Sequence, residues 1–431
     1  MTTLATTMTH ALKKQAIEHL KTTLNIAIKN AQPKQVLAQY LPAPTQGKTW
    51  VIGAGKASAL MAQTLESLWQ GPLEGVVVTP YGYHAPCKQI KVLEAAHPVP
   101  DNASLNAAKA IMKIAQQAQA GDQILTLLSG GGSSLLCAPA DGLEFSEKQR
   151  IHQHLLHSGA NIREINCVRR HLSRIKGGHL AQQSAPAQIH NLIISDVPGD
   201  NLVDIASGPT VADRSTCAHA LAILKRYKIP ITHTTEQALK SNIFETPKPK
   251  GGQFSHVQSH LIATAQKSLN AAATWAQSMG YKTLILGDAI EGEASEVAKV
   301  LAGIAKSIRQ YQQPIAPPCI VLSGGETTVT VKGSGIGGPN VEFLLSLLIA
   351  LDGLPGVYAL AADTDGVDGA CATAGAWIDS RTLKKAWKKN LVAQDFLDQN
   401  NAHHFFSLLK QQIKTGPTHT NVNDFRALLI I

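Results

Sequence analysis

The most constraining feature of this chain is a grammar that repeats along it. A continuous run of Val, Ile and Leu empties into Gly, Asp or Ser, and a helical pattern follows. In "KTWVIGAGKASALMAQTLESLW" a short apolar strand meets a glycine turn and then an amphipathic helix. The same signal returns in "EGVVVTPYG", "DQILTLLSGGGSSLL", "IHNLIISDVPGD", "KTLILGDAI", "PPCIVLSGGETTV" and "GVYALAADTDGVDG". Runs that are apolar at every position belong to strands buried on both faces, which is the condition of a parallel sheet with functional loops at its carboxyl ends. The fold class is therefore α/β.

At roughly 100 to 200 residues per domain, 431 residues imply two or three domains, and two are expected. Pro, Lys and Gly cluster without periodicity in "HTTEQALKSNIFETPKPKGGQFSHVQSH". The boundary is placed there, giving domains 1–245 and 246–431. With 44% hydrophobic and 16% charged residues, the chain has the composition of a compact enzyme rather than a disordered one. The net charge of +9 is spread along the chain, which favours a small anionic ligand over nucleic acid. The six cysteines never occur as CxxC, so a cytoplasmic protein without a disulfide framework or structural zinc is expected. No run reads as a signal peptide or a membrane span.

Several loops carry chemistry. In "LLSGGGSSLL", Gly130, Gly131, Gly132, Ser133 and Ser134 follow a buried strand, where converging N–H groups, hydroxyl donors and the positive end of the next helix suit a phosphate. "VIGAGKAS" sets Lys56 beside a glycine turn at a helix start, but lacks both the GxGxxG and the GxxxxGK[ST] spacing. On a helix predicted across "EINCVRRHLSRIKGGHL", Arg169 and Lys176 are seven apart and share a face. "LIISDVPGDNLVDIASGPTVAD" places Asp196 and Asp200 just beyond a strand, and "LAADTDGVDG" does the same with Asp363, Asp365 and Asp368. Such carboxylates suit proton acceptance or a magnesium nucleotide, and the second loop lacks the closing Glu of a calcium site. "HQHLLH" offers no complete metal-ligand set. The turn "SGG" occurs in both halves, at Ser129–Gly131 and Ser323–Gly325.

Taken together, "VIGAGKAS", "AAHPVPDNAS", "LLSGGGSSLL", "SGANIREINCVRRHLSRIKGGHLA", "LIISDVPGDNLVDIASGPTVAD", "VLSGGETTVTVKGSG", "AADTDGVDG" and "GPTHTNVND" resemble the glycerate 2-kinases that carry a C-terminal MOFRL domain. The resemblance implies a Rossmann-like N-terminal domain, a smaller α/β MOFRL domain and an active site in the cleft between them. It implies an ATP-dependent kinase that uses Mg2+ to phosphorylate the C2 hydroxyl of D-glycerate. Lys56 would stabilise the moving phosphoryl group, Asp196 orient or deprotonate the hydroxyl, and Arg169 grip the carboxylate. Ser129, Gly130, Gly131, Gly132, Ser133, Ser134 and Lys176 would hold phosphate or carboxylate. Gly324, Gly325, Glu326, Asn340, Asp363 and Asp365 would face ATP and its magnesium.

Two departures stand out. Ile336 and Pro339 occupy a segment, "GSGIGGPN", where the family often has arginines, which leaves Arg169, Arg174 or Lys332 to supply a cation. His419 replaces a residue that is usually small. Partners are expected to be small molecules, with no nucleic acid and no membrane, and a homodimer is compatible with the sequence. The rival functions are an NAD(P)H-dependent hydroxypyruvate reductase, weakened by the missing third glycine, and a non-catalytic sensor of nucleotide or sugar acid.

Overall fold

A computed structural model describes residues 2–431, and its side chains from residue 15 onward. Two compact units divide the chain: Pro33–Ile262 forms one, and the segment before it joins Ala263–Ile431 in the other. The first unit thus continues past residue 245, through the Pro/Lys/Gly-rich stretch. The opening helix, Thr2–Asn30, belongs with the end of the chain.

The first unit is built on β1 (Thr49–Ala54), β2 (Glu74–Pro80), β3 (Ile90–Ala95), β4 (Gln123–Leu128), β5 (Gln188–Ile194) and β6 (Val257–Ala263). Their order is β3-β2-β1-β4-β5-β6, and β1 through β5 pair in parallel. β1 and β4 lie at the centre and are buried at every residue, which is why both read as unbroken apolar runs. From β1 the chain winds outward to β2 and β3, then returns to β4 and winds the other way. The carboxyl ends of β1 and β4 therefore flank a topological switch point, the place where open α/β sheets bind ligands.

The second unit contains β7 (Lys282–Ile285), β8 (Ile290–Glu293), β9 (Cys319–Thr328), β10 (Val357–Asp363), β11 (Gly375–Ile378), β12 (Gln412–Ile413) and β13 (Asp424–Ile430). Parallel pairing, expected here from the apolar runs, holds only for β7 and β8 against β9. The last strand, β13, inserts antiparallel between β9 and β10, so the sheet is mixed. One face packs on helices Ala294–Tyr311 and Pro339–Leu351. The other receives Ala16, Ile17, Leu20, Leu24 and Ala27 of the opening helix, together with Leu269, Ala272 and Ala276.

The second "SGG" is not a turn. Ser323, Gly324 and Gly325 lie inside β9, and a Cβ on Gly325 would stand 2.2 Å from the Ile290 carbonyl oxygen. Glycine is needed there because β8 approaches so closely, so the echo between the two halves reflects different structural needs.

Candidate active site

At the switch point the exits of β1 and β4 interlock. The Lys56 N–H donates to the Gly130 carbonyl at 2.8 Å, and the Ser129 N–H to the Ala54 carbonyl at 3.1 Å. Ser129 Oγ accepts the Ala57 N–H at 3.0 Å, and Ser58 Oγ donates to the Leu127 carbonyl at 2.8 Å. Gly131 takes a left-handed conformation, φ +81°, which an L side chain rarely adopts. A Cβ there would lie 3.0 Å from the His97 ring and 3.6 Å from Lys56 Cγ. Lys56, His97 and the glycine loop thus share one small neighbourhood. The helix that follows, Gly132–Leu135, is a single turn, so the positive helix end expected from the sequence is correspondingly weak.

The helix carrying Arg169 runs only from Ile162 to His171. Lys176 lies beyond it, so the helical face that Arg169 and Lys176 were expected to share does not exist. An antiparallel bridge between Pro139 and Ser173 and positive φ at Gly177 and Gly178 break the pattern. The charged run is also less exposed than its composition suggests, because Arg170 is buried between Asp204 at 3.1 Å and Asp213 at 3.0 Å. Lys176 is 2% exposed, and its ammonium donates to the Ser133 and Leu136 carbonyls at 2.6 and 2.7 Å. It ties down the loop from beneath.

Around it lie Lys148, whose ammonium donates to the Leu172 carbonyl, and Arg169, which reaches Asn166 Oδ1 at 3.3 Å and His152 Nδ1 at 3.3 Å. Burial pulls Lys148 down to about 8 and Arg169 to about 10, and holds Lys176 well below the lysine range, where the charges of Lys148 and Arg169 add to the effect. His152 is pushed down to about 3 by burial and then by the positive charge of Arg169, so the ring is neutral. Among the described residues no carboxylate pairs with Lys148, Arg169 or Lys176. Buried positive charge without a counter-charge is costly, and an anion is the kind of group that would offset it.

Asp196 stands two residues past the end of β5, partly exposed. Farther on, Ala206, Ser207 and Gly208 adopt left-handed conformations in succession, with φ of +51°, +59° and +59°. Strain of this kind persists where the surrounding structure fixes it, commonly at functional sites. It brings Ser207 Oγ to 2.7 Å from Ser133 Oγ and 3.0 Å from Asn166 Oδ1. His97, Lys148, His152, Asn166 and Ser207 escaped the sequence reading. Two of them left a trace: Ser207 in the loop that follows Asp196 and Asp200, and His152 as the buried member of "HQHLLH", whereas His154 and His157 are exposed.

In the second unit the predicted residues gather at the ends of β9 and β10. Asp363 Oδ1 accepts the Asp365 N–H at 2.9 Å, and Asp365 Oδ1 the Val367 N–H at 2.8 Å. Glu326 is exposed on β9. Asn340, fully buried, donates through Nδ2 to Asp368 at 3.2 Å and Asp424 at 2.6 Å. Burial pushes Asp368 up to about 7, against the N–H donors of Asn340 and Val341 that favour its ionised form. Arg426, fully buried, pairs with Asp424 and rests over the Phe343 ring. Its sequence signal was an arginine inside the apolar run "DFRALLI". Ile336 is exposed, and Pro339 begins the helix Pro339–Leu351.

Two other features lie apart from these residues. A hollow of 720 Å³ is lined by Glu293, Lys299, Lys306, Glu342 and, of the residues singled out from the sequence, Lys332. His171, Cys217 and Glu245 place ligand-type atoms within 4.8 Å of one another. The Glu245 carboxylate there already pairs with Lys248 at 2.5 Å and accepts two N–H groups, so the cluster is an ion-paired node.

Comparison with known proteins locates the chain among relatives. Residues 19–240 match the family described as a domain of unknown function, DUF4147, and residues 319–424 match the MOFRL family. A putative hydroxypyruvate reductase from Agrobacterium vitis is 44% identical, over 95% of this chain and 94% of that protein. A D-glycerate 2-kinase from Thermotoga maritima is 38% identical, over 98% of this chain and 99% of that protein. The crystal structure of the Thermotoga maritima glycerate kinase superposes with a TM-score of 0.87 at 37% identity, covering 98% of this chain and 100% of that one.

Proposed function

The chain belongs to the glycerate 2-kinase family that joins a DUF4147 region to a MOFRL domain, and on that premise we propose that it transfers the γ-phosphoryl group of ATP to the C2 hydroxyl of D-glycerate, giving 2-phospho-D-glycerate and ADP. The observation that carries the reading is the cluster of Lys148 and Lys176, both buried, and the half-buried Arg169 around a glycine-serine loop at the sheet's switch point. A small organic acid and a phosphoryl group are the anions such a place accommodates.

In this reading the backbone of the loop Ser129–Ser134 and the Arg169 guanidinium hold the anionic groups of the acid. Asp196 accepts the proton of the C2 hydroxyl as its oxygen bonds to the γ-phosphorus and the bridging oxygen departs with ADP. Lys56 faces the phosphoryl group in flight, where a positive charge counts most. Arg174 is engaged by Asp141 at 2.9 Å, and Arg169 is the arginine this reading assigns to the acid. Glu326, Asn340, Asp363 and Asp365 attend the nucleotide. The hard carboxylate oxygens of Asp363 and Asp365 fit Mg2+, which when bound neutralises phosphate charge.

The reductase name borne by the 44% identical relative defines the competing reading. Against it, the turn after β1 has Lys56, Ala57 and Ser58 where a dinucleotide fingerprint needs its third glycine, and β2 ends in Thr79-Pro80 without the acidic residue that holds a ribose. One pair of assays separates the two. ADP release that depends on D-glycerate supports the kinase, and steady NADH oxidation with hydroxypyruvate overturns it.

A further inference from the structure

Asn166 is the hub of a hydrogen-bond chain whose direction is fixed. Its Nδ2 faces two acceptors, the Asp204 carbonyl at 3.2 Å and the Asp204 carboxylate at 3.4 Å. Its Oδ1 therefore faces the remaining neighbours, Arg169 Nη1 at 3.3 Å and the Ser207 hydroxyl at 3.0 Å. An amide oxygen can only accept, and a serine has one proton to give. Ser207 spends its proton on Asn166. At the 2.7 Å contact between Ser133 and Ser207 the donor is then Ser133. What Ser133, half-buried beside Gly131, has left to offer is lone pairs.

This polarity departs from the donor role that the glycine-serine loop suggests. A phosphate or carboxylate oxygen set against Ser133 Oγ would bring acceptor to acceptor, whereas a hydroxyl donates into it. Nor can Ser133 act as a base, because its relay ends on a neutral amide that also holds a guanidinium. The hydroxyl under phosphorylation must surrender its proton, so the partner that suits Ser133 is one that keeps it. Resting on the glycerate kinase reading, we propose that Ser133 accepts a hydrogen bond from the C3 hydroxyl of glycerate and so selects this acid over its 3-deoxy counterpart, with Ser207 and Asn166 as positioning residues.

The test compares ADP release with D-glycerate and with D-lactate, which keeps the carboxylate and C2 hydroxyl but carries a methyl group at C3. Wild-type kcat/KM should favour glycerate by about 10- to 100-fold, the range expected when a buried acceptor loses its donor. Ser133→Ala should bring the two acids within about 3-fold by lowering efficiency on glycerate, with the KM for ATP unchanged. Ser133→Cys, similar in size but a poor acceptor, should do the same. Ser207→Ala should raise the KM for glycerate more than it lowers kcat. Equal wild-type efficiency on both acids, or undiminished selectivity in both Ser133 variants, overturns the assignment while leaving the kinase reading intact. Absence of ADP release with every hydroxy acid is a separate result, which overturns the kinase reading and this assignment with it.

Discussion

At the scale of single residues, the loop at the switch point joins backbone geometry to charge. The Lys56 N–H is bonded to the Gly130 carbonyl and its Cγ lies 3.6 Å from where a Cβ on Gly131 would stand, so this lysine is anchored at the glycine loop. Lys56→Ala should therefore lower kcat by 10²-fold or more, on the order of 3 kcal/mol of transition-state stabilisation, and change the KM for ATP by less than about 3-fold. An unchanged kcat in steady-state kinetics would remove Lys56 from the chemistry. Gly131→Val adds a branched side chain at φ +81° against the His97 ring, and should abolish glycerate turnover in a protein whose circular dichroism stays native. The glycine turn after β4 was legible because a run of glycines and serines directly follows an unbroken apolar strand. The contacts that join Ser207 to Ser133 and Asn166 were not, since they span 74 and 41 residues, and sequence spacing does not encode them.

At the scale of elements, the helix Phe145–His157 turns its buried face, with Lys148, Ile151, His152 and Leu155, toward the cationic cluster. The neutral state of His152 has a thermodynamic signature. Its native pKa of about 3 lies below the unfolded value of 6.5, so between those limits the unfolded chain binds a proton that the native protein refuses. Stability contributed by this group is constant above pH 6.5 and falls as the pH drops below it, by about 1.4 kcal/mol per unit. Urea unfolding at pH 7 and pH 5 should show wild type losing about 2 kcal/mol more than His152→Gln over that interval. An equal loss in both proteins would mean that the ring is protonated in the native state. The same scale explains which strands could be read in advance. Those buried at every position, such as β1 and β4, announce themselves by apolar runs alone. The edge strand β3 and the four-residue β8 mix exposed and half-buried positions, and β13 carries within its apolar run an arginine paired with Asp424, two residues before it on the same strand.

At the scale of the whole molecule, the opening helix is a structural part of the unit formed by Ala263–Ile431. Leu20 and Leu24 are 0% and 1% exposed and pack with Ile320, Leu322 and Leu429 in one core. Burying each stabilises that unit by about 2 kcal/mol. Leu20→Ala should cost about 2 to 5 kcal/mol in chemical denaturation and speed amide exchange in β9, β10 and β13, with the strands of the first sheet less affected. Uniform acceleration through both sheets would show instead that the two units unfold as one. The division also accounts for the boundary expected near residue 245. Composition marks where regular structure pauses, whereas β6 follows that pause and still completes the first sheet.

The position of that helix has a consequence for biosynthesis. A ribosome delivers Thr2–Asn30 well before β9, β10 and β13, the strands that cover its apolar side. The nascent chain can complete the six-stranded sheet as soon as β6 emerges, while the leading helix trails an uncovered greasy stripe until Ile430 is in place. During that interval its Leu and Ile side chains are bait for a chaperone or for a neighbouring polysome.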